Sequence, residues 1–202
     1  MFILLAVHLC APVFAENMQA VQVYEDNLLL NLIKKNKHLD RIVSDDCQLV
    51  QDIEARASIV KMPSYQFLWG DMLAYGICVK QDISLGVYYM HQAADQGLAE
   101  GLEQLGRYYH IGKFMKVDIE RAVLYLKIAA SLDNLNAQMR LASLYQQGFG
   151  SPLDYPALYS QLHHSLTDNK VTQNKISELL ADLANKMPNQ VIEQAKRNRY
   201  TN

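Results

Sequence analysis

The sequence predicts an all-α protein, a solenoid of about three helix-pair repeats with extra helices at both ends. The first observation is a set of residues that recurs at a fixed offset of 36 positions. The clearest pairs are Gly70 and Gly106, Leu73 and Tyr109, Gly76 and Gly112, Asp82 and Asp118, Tyr89 and Tyr125, and Ala93-Ala94 and Ala129-Ala130. A third, weaker copy contains Leu141, Ala142, Tyr145, Gly148 and Asp154. Such a period is typical of stacked helix pairs, because one pair cannot bury its apolar face without a neighbour.

The second observation is the order of glycine and aspartate within each copy. A glycine is placed to end the first helix, because the residue after a helix often adopts a left-handed conformation that glycine tolerates. These glycines are Gly76, Gly112 and Gly148. An aspartate then precedes the second helix, where its carboxylate is expected to cap the free backbone N–H groups. These aspartates are Asp82, Asp118 and Asp154.

Small residues in the middle of the first helix predict close packing. They are Gly70, Gly106 and Ala142. A glycine inside a helix costs about 1 kcal/mol relative to alanine, so we expect a close approach of the partner helix to offset this loss. Each copy is therefore predicted to be a helix, a glycine turn, a short loop, an aspartate cap and a second helix.

The first 15 residues have the pattern of an export signal. Phe2 to Leu9 form an apolar run that is too short to span a bilayer, and Val13-Phe14-Ala15 resembles a cleavage site. We therefore expect a signal peptide (1–15), an N-terminal helical segment (16–62), the repeats (63–169) and C-terminal helices (170–202). A lipid anchor on Cys10 and a buried N-terminal helix in a cytoplasmic protein are the open alternatives.

Helices are also expected on both sides of the repeats. The stretch from Tyr24 to Lys35 carries acids at its start and lysines at its end, which complements a helix dipole. Ser44 is expected to cap a second helix, and Ser64 to cap the first helix of the repeats. Apolar residues at helical spacing predict a further helix from Lys170 to Met187, which ends before Pro188. A last short helix is expected from Asn189 to Arg199.

The cysteines suggest a covalent link near the front of the repeats. If the signal is removed, Cys47 and Cys78 remain as an even pair, which favours a disulfide in an oxidising compartment. The two cysteines are 31 positions apart, a loop for which the chain-entropy model gives about 3–4 kcal/mol of stabilisation. Two buried free thiols are the alternative.

Composition and motifs give little support to catalysis or ligand chemistry. The formal net charge is −2 and the pI is near 6.3, so nucleic-acid binding has little electrostatic support. The histidines have no cysteine or histidine partner at metal-ligand spacing, and the sequence contains no phosphate loop or nucleophile elbow. We therefore expect no catalytic residues, no metal, no cofactor and no small-molecule substrate.

Two groups of residues are candidates for contacts with partner proteins. The helix from Tyr24 to Lys35 has more apolar residues than one narrow stripe can hold, so part of its surface must meet the repeats or a partner. Its candidates are Leu28, Leu29 and Leu32. In the second repeat, the candidates are Arg107, Tyr108 and His110, which are expected on the concave face of the array.

The repeat residues resemble the Sel1-like repeat, a bacterial relative of the tetratricopeptide repeat. The second copy carries the full pattern, Leu105-Gly106, Tyr109, Gly112, Asp118, Ala122, Tyr125 and Ala129-Ala130. Within this group, the chain is similar to the MotX proteins of the polar flagellar motor. That likeness rests on the Cys47 and Cys78 pair, the segment Asp46-Cys47-Gln48-Leu49-Val50, and the run Ser151-Pro152-Leu153-Asp154-Tyr155.

The resemblance implies a structural, non-enzymatic role in the periplasm. Such a protein is expected to form the T ring around the flagellar basal-body ring, together with like subunits and a MotY-like protein. The T ring in turn is expected to place or hold stator complexes through the periplasmic part of the stator B subunit. A generic periplasmic Sel1-repeat scaffold for another envelope complex is the first alternative, and an envelope hydrolase that uses the aspartates and histidines is the second.

Overall fold

A computed structural model describes residues 22–197, which form helices without strands and confirm the predicted all-α class. The predicted signal peptide (1–15) lies outside the described residues, as does the predicted end of the last helix at Arg199. The α-helices are α1 Asp26–Lys34, α2 His38–Ser44, α3 Val50–Ala55, α4 Pro63–Tyr75, α5 Ile83–Asp95, α6 Ala99–Ile111, α7 Ile119–Ser131, α8 Leu135–Gln146, α9 Tyr155–His163, α10 Lys170–Ala184 and α11 Asn189–Arg197. A π-helical turn, Arg56–Val60, extends α3, and a 3-10 turn, Pro152–Asp154, precedes α9.

Three successive helix pairs form the body of the protein. The pairs are α4 with α5, α6 with α7, and α8 with α9, and each pair packs on the next through α5 against α6 and α7 against α8. The apolar core is continuous through all of them, from Tyr24 near the start of the described chain to Ala195 near its end. This arrangement is the predicted solenoid, in which every pair is covered by its neighbours.

The two helices of the first pair approach most closely at two glycines. A Cβ atom added to Gly70 would lie 2.9 Å from the carbonyl oxygen of Gly86. One added to Gly86 would lie 2.7 Å from the backbone nitrogen of Ala74. In the second pair, a Cβ on Gly106 would lie 2.7 Å from Cγ of Leu126. The close packing expected at Gly70 and Gly106 is present, and Gly86 is an additional contact point that the repeat pattern did not reveal.

Glycines in the left-handed region end the first helix of each pair. Gly76 and Gly112 are the C-caps of α4 and α6, with φ of 69° and 71°. Gly148 has a φ of 92° and follows Gln147, the C-cap of α8. A side chain at these angles is strained, because its Cβ crowds the backbone.

Aspartate caps begin the second helices of the first two pairs. The carboxylate of Asp82 accepts a hydrogen bond from the backbone N–H of Leu85 at 2.9 Å. The carboxylate of Asp118 accepts one from the N–H of Arg121, also at 2.9 Å. Each bond satisfies one of the N–H groups that a helix leaves free at its start.

The third aspartate, Asp154, stands at the N-cap position of α9 but makes no capping hydrogen bond, so its predicted capping role was wrong. Its backbone is already helical, with φ −87° and ψ −13°, and its side chain makes no cap bond. Its carboxylate instead accepts hydrogen bonds from Lys127 Nζ at 2.7 Å and from the Tyr145 hydroxyl at 3.4 Å. The physical reason is Pro152, which starts the 3-10 turn before Asp154, so that Ser151 caps this turn in its place.

The N-terminal helices wrap around α4. The elements α1, α2, α3 and the π-helical turn all contact it, and residues 64–74 of α4 are buried. Ser44 ends α2 and does not cap a helix, since α3 begins only at Val50. Ser64 lies inside α4, because Pro63 starts the helix one residue earlier, and its hydroxyl donates to the carboxylate of Asp26. Both expected serine caps were therefore wrong.

The C-terminal helices cover the last pair. Helix α10 packs on α8 and α9, and α11 packs on α9. Their buried side chains include Ile176, Leu179, Leu183 and Ile192. Between residues 22 and 197, no helix has the length and apolar character needed to cross a membrane.

Gly86→Ala is expected to destabilise the protein, although alanine favours helices. The added Cβ would lie 2.7 Å from backbone atoms of α4, which cannot move aside as a side-chain tip can. Overpacking of this kind outweighs the gain in helix propensity, and we expect a net loss of about 1–2 kcal/mol in the free energy of unfolding. Urea unfolding measures the loss, with Ser84→Ala at an exposed position of α5 as control. An unchanged or higher value for Gly86→Ala contradicts the close packing.

Candidate functional site

A groove runs along the face formed by α6 and α8, with α1 at one end and α10 at the other. It consists of two adjoining depressions of about 380 and 640 Å³, which share Asn36, Glu103, Gln104 and Asn136. We call the smaller one, which includes Lys34 of α1, the proximal groove. The larger one, which includes Lys175 of α10, is the distal groove.

A buried hydrogen-bond network adjoins the groove and centres on Asp71 of α4, whose side chain is 3% exposed. His38 of α2 donates from Nε2 to Oδ2 of Asp71 at 2.7 Å. Gln104 and Tyr108 of α6 donate to Oδ1, at 3.1 and 3.3 Å. A buried carboxylate requires such donors, because removal from water is otherwise very unfavourable. One side chain thus joins the N-terminal helices to the first and second repeats.

The same network holds Arg107 in one orientation. The side-chain oxygen of Gln104 accepts a hydrogen bond from Arg107 Nη2 at 2.7 Å, and the Gln104 nitrogen donates to the Tyr108 hydroxyl at 2.7 Å. The guanidinium lies 5.1 Å from the centroid of the Tyr108 ring, a cation–π distance. Burial raises the pKa of Tyr108, so this hydroxyl stays protonated. Gln104 and Tyr108 therefore fix the orientation of the Arg107 guanidinium within the chain itself.

An ion pair between α6 and α8 lines the groove. The distance from Arg140 Nε to Glu103 Oε1 is 3.3 Å, and the two side chains are 29% and 12% exposed. Burial raises the pKa of Glu103, while Arg140 and Arg107 act in the opposite direction. Burial lowers the pKa of His110, and the charge of Arg140 lowers it further, as expected in a region of positive potential.

The predicted partner-binding residues fall into two groups. Arg107 and His110 line the distal groove, whereas Leu28 is 48% exposed on α1 and Leu32 is partly buried there. Their contact roles stay predictions. Tyr108 and Leu29 were wrong as contact residues, because both side chains are fully buried. Tyr108 shares its repeat position with two other buried residues, Met72 and Leu144, and Leu29 belongs to the continuous core.

The structure contains a disulfide between Cys47 and Cys78. Cys47 lies in the turn after α2, and Cys78 lies in the turn after α4. The bridge therefore links the same two parts of the chain that the His38–Asp71 hydrogen bond links. The N-terminal segment is held to the first repeat by this covalent bond and by buried polar contacts, of which the His38–Asp71 hydrogen bond is one.

The aspartates at the repeat positions do not come together among the described residues. In the range 22–197, no cluster of three or more histidine, cysteine, aspartate or glutamate side chains has the arrangement to hold a metal ion. Asp82 and Asp118 stand at the starts of different helices, and Asp154 pairs with Lys127. The carboxylates considered for a hydrolase are therefore dispersed along the array.

Sequence reasoning missed most of the polar groove and its network. The overlooked residues are His38, Asp71, Glu103, Gln104 and Arg140. One signal was present, because Asp71 is a charge inside the apolar run from Phe67 to Ala74 and therefore needed a buried partner. The identity of that partner was not readable, since His38 is 33 positions away and belongs to a segment outside the repeats.

Comparison with known sequences identifies the repeats and a close relative. The Sel1 repeat model matches residues 63–98, 99–134 and 135–157. These ranges follow the three helix pairs, with the last match ending at the start of α9. A curated protein from Vibrio parahaemolyticus serotype O3:K6, described as sodium-type polar flagellar protein MotX, is 49% identical over 177 residues. The match covers 88% of this chain and 84% of that protein.

Two solved structures share the fold. A Sel1 repeat protein from Oxalobacter formigenes has a TM-score of 0.51 and 20% identity, and it is matched over 76% of this chain. A protective antigen of uropathogenic Escherichia coli with an SLR fold has a TM-score of 0.56 and 19% identity, over 85% of this chain. The chain spans only 53% and 36% of these two proteins. At this level of identity, the likeness supports the solenoid fold.

His38→Ala is expected to lower the free energy of unfolding by about 2–4 kcal/mol, because the buried Asp71 carboxylate loses a hydrogen-bond donor. Lys37→Ala is the matched control, since its ion pair with Asp40 is exposed and contributes little. Urea unfolding compares the two variants. Adding Asp71→Asn to His38→Ala should restore part of the stability, because a neutral amide is easier to bury. Equal stability of the two single variants contradicts the role assigned to the network.

Removal of the disulfide is expected to reduce stability through the unfolded chain. The bridge spans 31 positions, and the double variant Cys47→Ser/Cys78→Ser should lose about 3–4 kcal/mol. Urea unfolding with and without reductant measures this loss: the reductant should destabilise the wild type and leave the variant unchanged. Two free thiols detected by mass spectrometry in the exported, non-reduced protein would disprove the bridge.

Proposed function

The chain belongs to the MotX family of Sel1-repeat proteins, and from this premise we propose that it is a non-enzymatic structural component of the polar flagellar motor. The observation that carries the proposal is the extent of the similarity. The 49% identity covers 177 residues, far more than the repeats between residues 63 and 157. Sequence outside the repeats is not required by the solenoid, so its similarity favours a common role over a common fold.

The architecture supports a scaffold role. Stacked helix pairs form a stiff array that offers long surfaces to neighbouring molecules. The N-terminal segment is fixed to this array by the disulfide and by the Asp71 network, and the C-terminal helices cover its other end. The groove presents charged side chains, of which Arg107 is held in position by Gln104 and Tyr108.

In the motor, we propose that the protein forms the periplasmic T ring with a MotY-like protein and with like subunits. This ring would surround the basal body and place or hold stator complexes through the periplasmic part of the stator B subunit. Ring formation requires that each copy offers different surfaces to its two neighbours. A rigid array with distinct ends and faces meets this requirement.

We also propose that the protein acts in the periplasm. The apolar run and cleavage pattern in residues 1–15 favour export. A disulfide between Cys47 and Cys78 fits the same compartment, since such bonds persist where the environment is oxidising.

Deletion of the gene in the source bacterium tests the motor role. We expect cells that still carry flagellar filaments by electron microscopy but do not swim, because the stators are not held in place. The gene on a plasmid should restore swimming, and the empty plasmid should not. Basal bodies isolated from the deletion strain should lack the density of the T ring in electron micrographs, and they should also lack the MotY-like protein.

Three other results would contradict this proposal in different ways. Normal swimming after deletion would favour the generic envelope scaffold. Loss of the filament itself would indicate a role in flagellar assembly and not in torque generation. Paralysis with the ring intact would separate the motor role from ring formation.

A further inference from the structure

The first repeat shows how its face of the array is covered. Helix α1 lies on it with Asp26, which accepts a hydrogen bond from Ser64 of α4. Helix α2 lies on it with His38, which donates to Asp71 at 2.7 Å and places its ring 5.5 Å from that of Phe67. Ser64, Phe67 and Asp71 form one row along α4, at the spacing of a single helix face. In this repeat, helices of the chain itself occupy the row.

The equivalent row in the second repeat lines the groove. It consists of Glu100, Glu103 and Arg107 on α6, each 36 positions after its counterpart on α4. Helix α1 reaches this row only with its last turn, where Lys34 lies 3.9 Å from Glu100. Charged side chains therefore stand where the first repeat has a serine, a phenylalanine and a buried aspartate. The equivalent positions of the second repeat therefore carry different charges from those of the first.

The charges divide the groove into two halves. Among the described residues that line the distal groove, Arg107, Arg140 and Lys175 face a single carboxylate, that of Glu103. Glu103 pairs with Arg140, while the hydrogen bond of Arg107 goes to the neutral amide of Gln104. Lys175 pairs with Glu178 along an exposed side of α10, a contact of little energy. Positive charge is thus in excess in this half.

The proximal groove has the opposite excess. Apart from Glu103, which both halves share and which pairs with Arg140, its charged lining residues are Glu100 and Asp133, against Lys34. The two halves therefore form a polar groove with a negative end near α1 and a positive end near α10. An occupant that neutralises both ends must carry basic residues in one part and acidic residues in the other.

We propose that the groove binds a segment of a partner protein whose acidic part pairs with Arg107 and Arg140 and whose basic part faces Glu100 and Asp133. The inference rests on the proposed function and deepens it, because it gives the chemistry of one protein partner. The segment would continue, on the second and third repeats, the row that α1 and α2 occupy on the first.

A carboxylate is the anion that this arrangement suits. A guanidinium offers two parallel N–H donors, which match the two oxygens of a carboxylate. Gln104 and Tyr108 already hold Arg107 in position, so little side-chain freedom is lost on binding. The first repeat has the reverse arrangement. There the carboxylate belongs to the array, in Asp71, and the hydrogen-bond donor, His38, belongs to the covering helix α2.

Fluorescence anisotropy with the purified full chain tests this inference. The probe is a short labelled peptide with lysines in one half and glutamates in the other. A peptide of the same composition with alternating lysine and glutamate is the control. We expect the block peptide to bind at least about tenfold more tightly, and its affinity to fall as salt is added, because paired charges are screened.

Variants of the groove should change the affinity in opposite directions. Arg107→Gln should weaken binding of the block peptide about tenfold, the loss expected for one charge-assisted contact. Glu103→Gln should strengthen it, because Glu103 competes with the peptide for Arg140. Lys116→Gln, which removes the same charge at an exposed position outside the groove, should leave the affinity unchanged. Lys175→Ala adds an exposed groove variant with little effect on folding.

The outcomes separate this inference from the proposed function. Equal binding of the two peptides, or unchanged affinity in both Arg107→Gln and Lys175→Ala, would overturn the groove assignment. If these variants also restore swimming fully in a deletion strain that is itself paralysed, the motor role stands without the groove. A deletion strain that swims normally would remove the motor role, whatever the peptides do.

Discussion

The fold depends on the partnering of one buried carboxylate. Asp71 lies inside α4, and a charge in that position is tolerated only if it is well hydrogen-bonded. Its donors come from α2 on one side and from α6 on the other. Burial of this carboxylate therefore requires contacts from both the N-terminal helices and the second repeat. This requirement joins a segment outside the repeats to the array, which apolar stacking by itself does not specify.

Residues that recur at the repeat period build the array, whereas residues that do not recur distinguish one repeat from the next. Small residues such as Gly70 and Gly106 recur because backbones approach there, and Gly76 and Gly112 recur because the turn has a positive φ. The row on the groove face does not recur, and Asp71 in one copy corresponds to Arg107 in the next. Positions that do not recur can carry recognition, and in this chain the row on α6 supplies Glu100, Glu103 and Arg107 to the groove.

Local features were predictable from sequence, and features that depend on distant segments were not. The glycine turns and the caps at Asp82 and Asp118 follow from residues within a few positions of one another. Asp154 has the same spacing but a different role, because Pro152 and Lys127 alter its surroundings. The groove was only partly foreseen. Arg107 and His110 were identified because their positions have no repeat consensus, whereas the other residues of the groove are set by how α6, α8 and α10 meet.

The covered ends of the array restrict how copies of the chain can assemble. Helices from outside the repeats pack on the first pair and on the last pair, so neither pair can stack directly on a pair from another copy. In repeat proteins such terminal elements stop open-ended growth. A ring of like subunits must therefore use the sides of the array.

One side of the array exposes apolar side chains. Tyr88 of α5 is 53% exposed, and Leu124 and Ile128 of α7 are 57% and 43% exposed. The groove supplies charged residues on another part of the surface. Apolar and charged surfaces on different parts of one stiff body allow two unlike neighbours to be held at once.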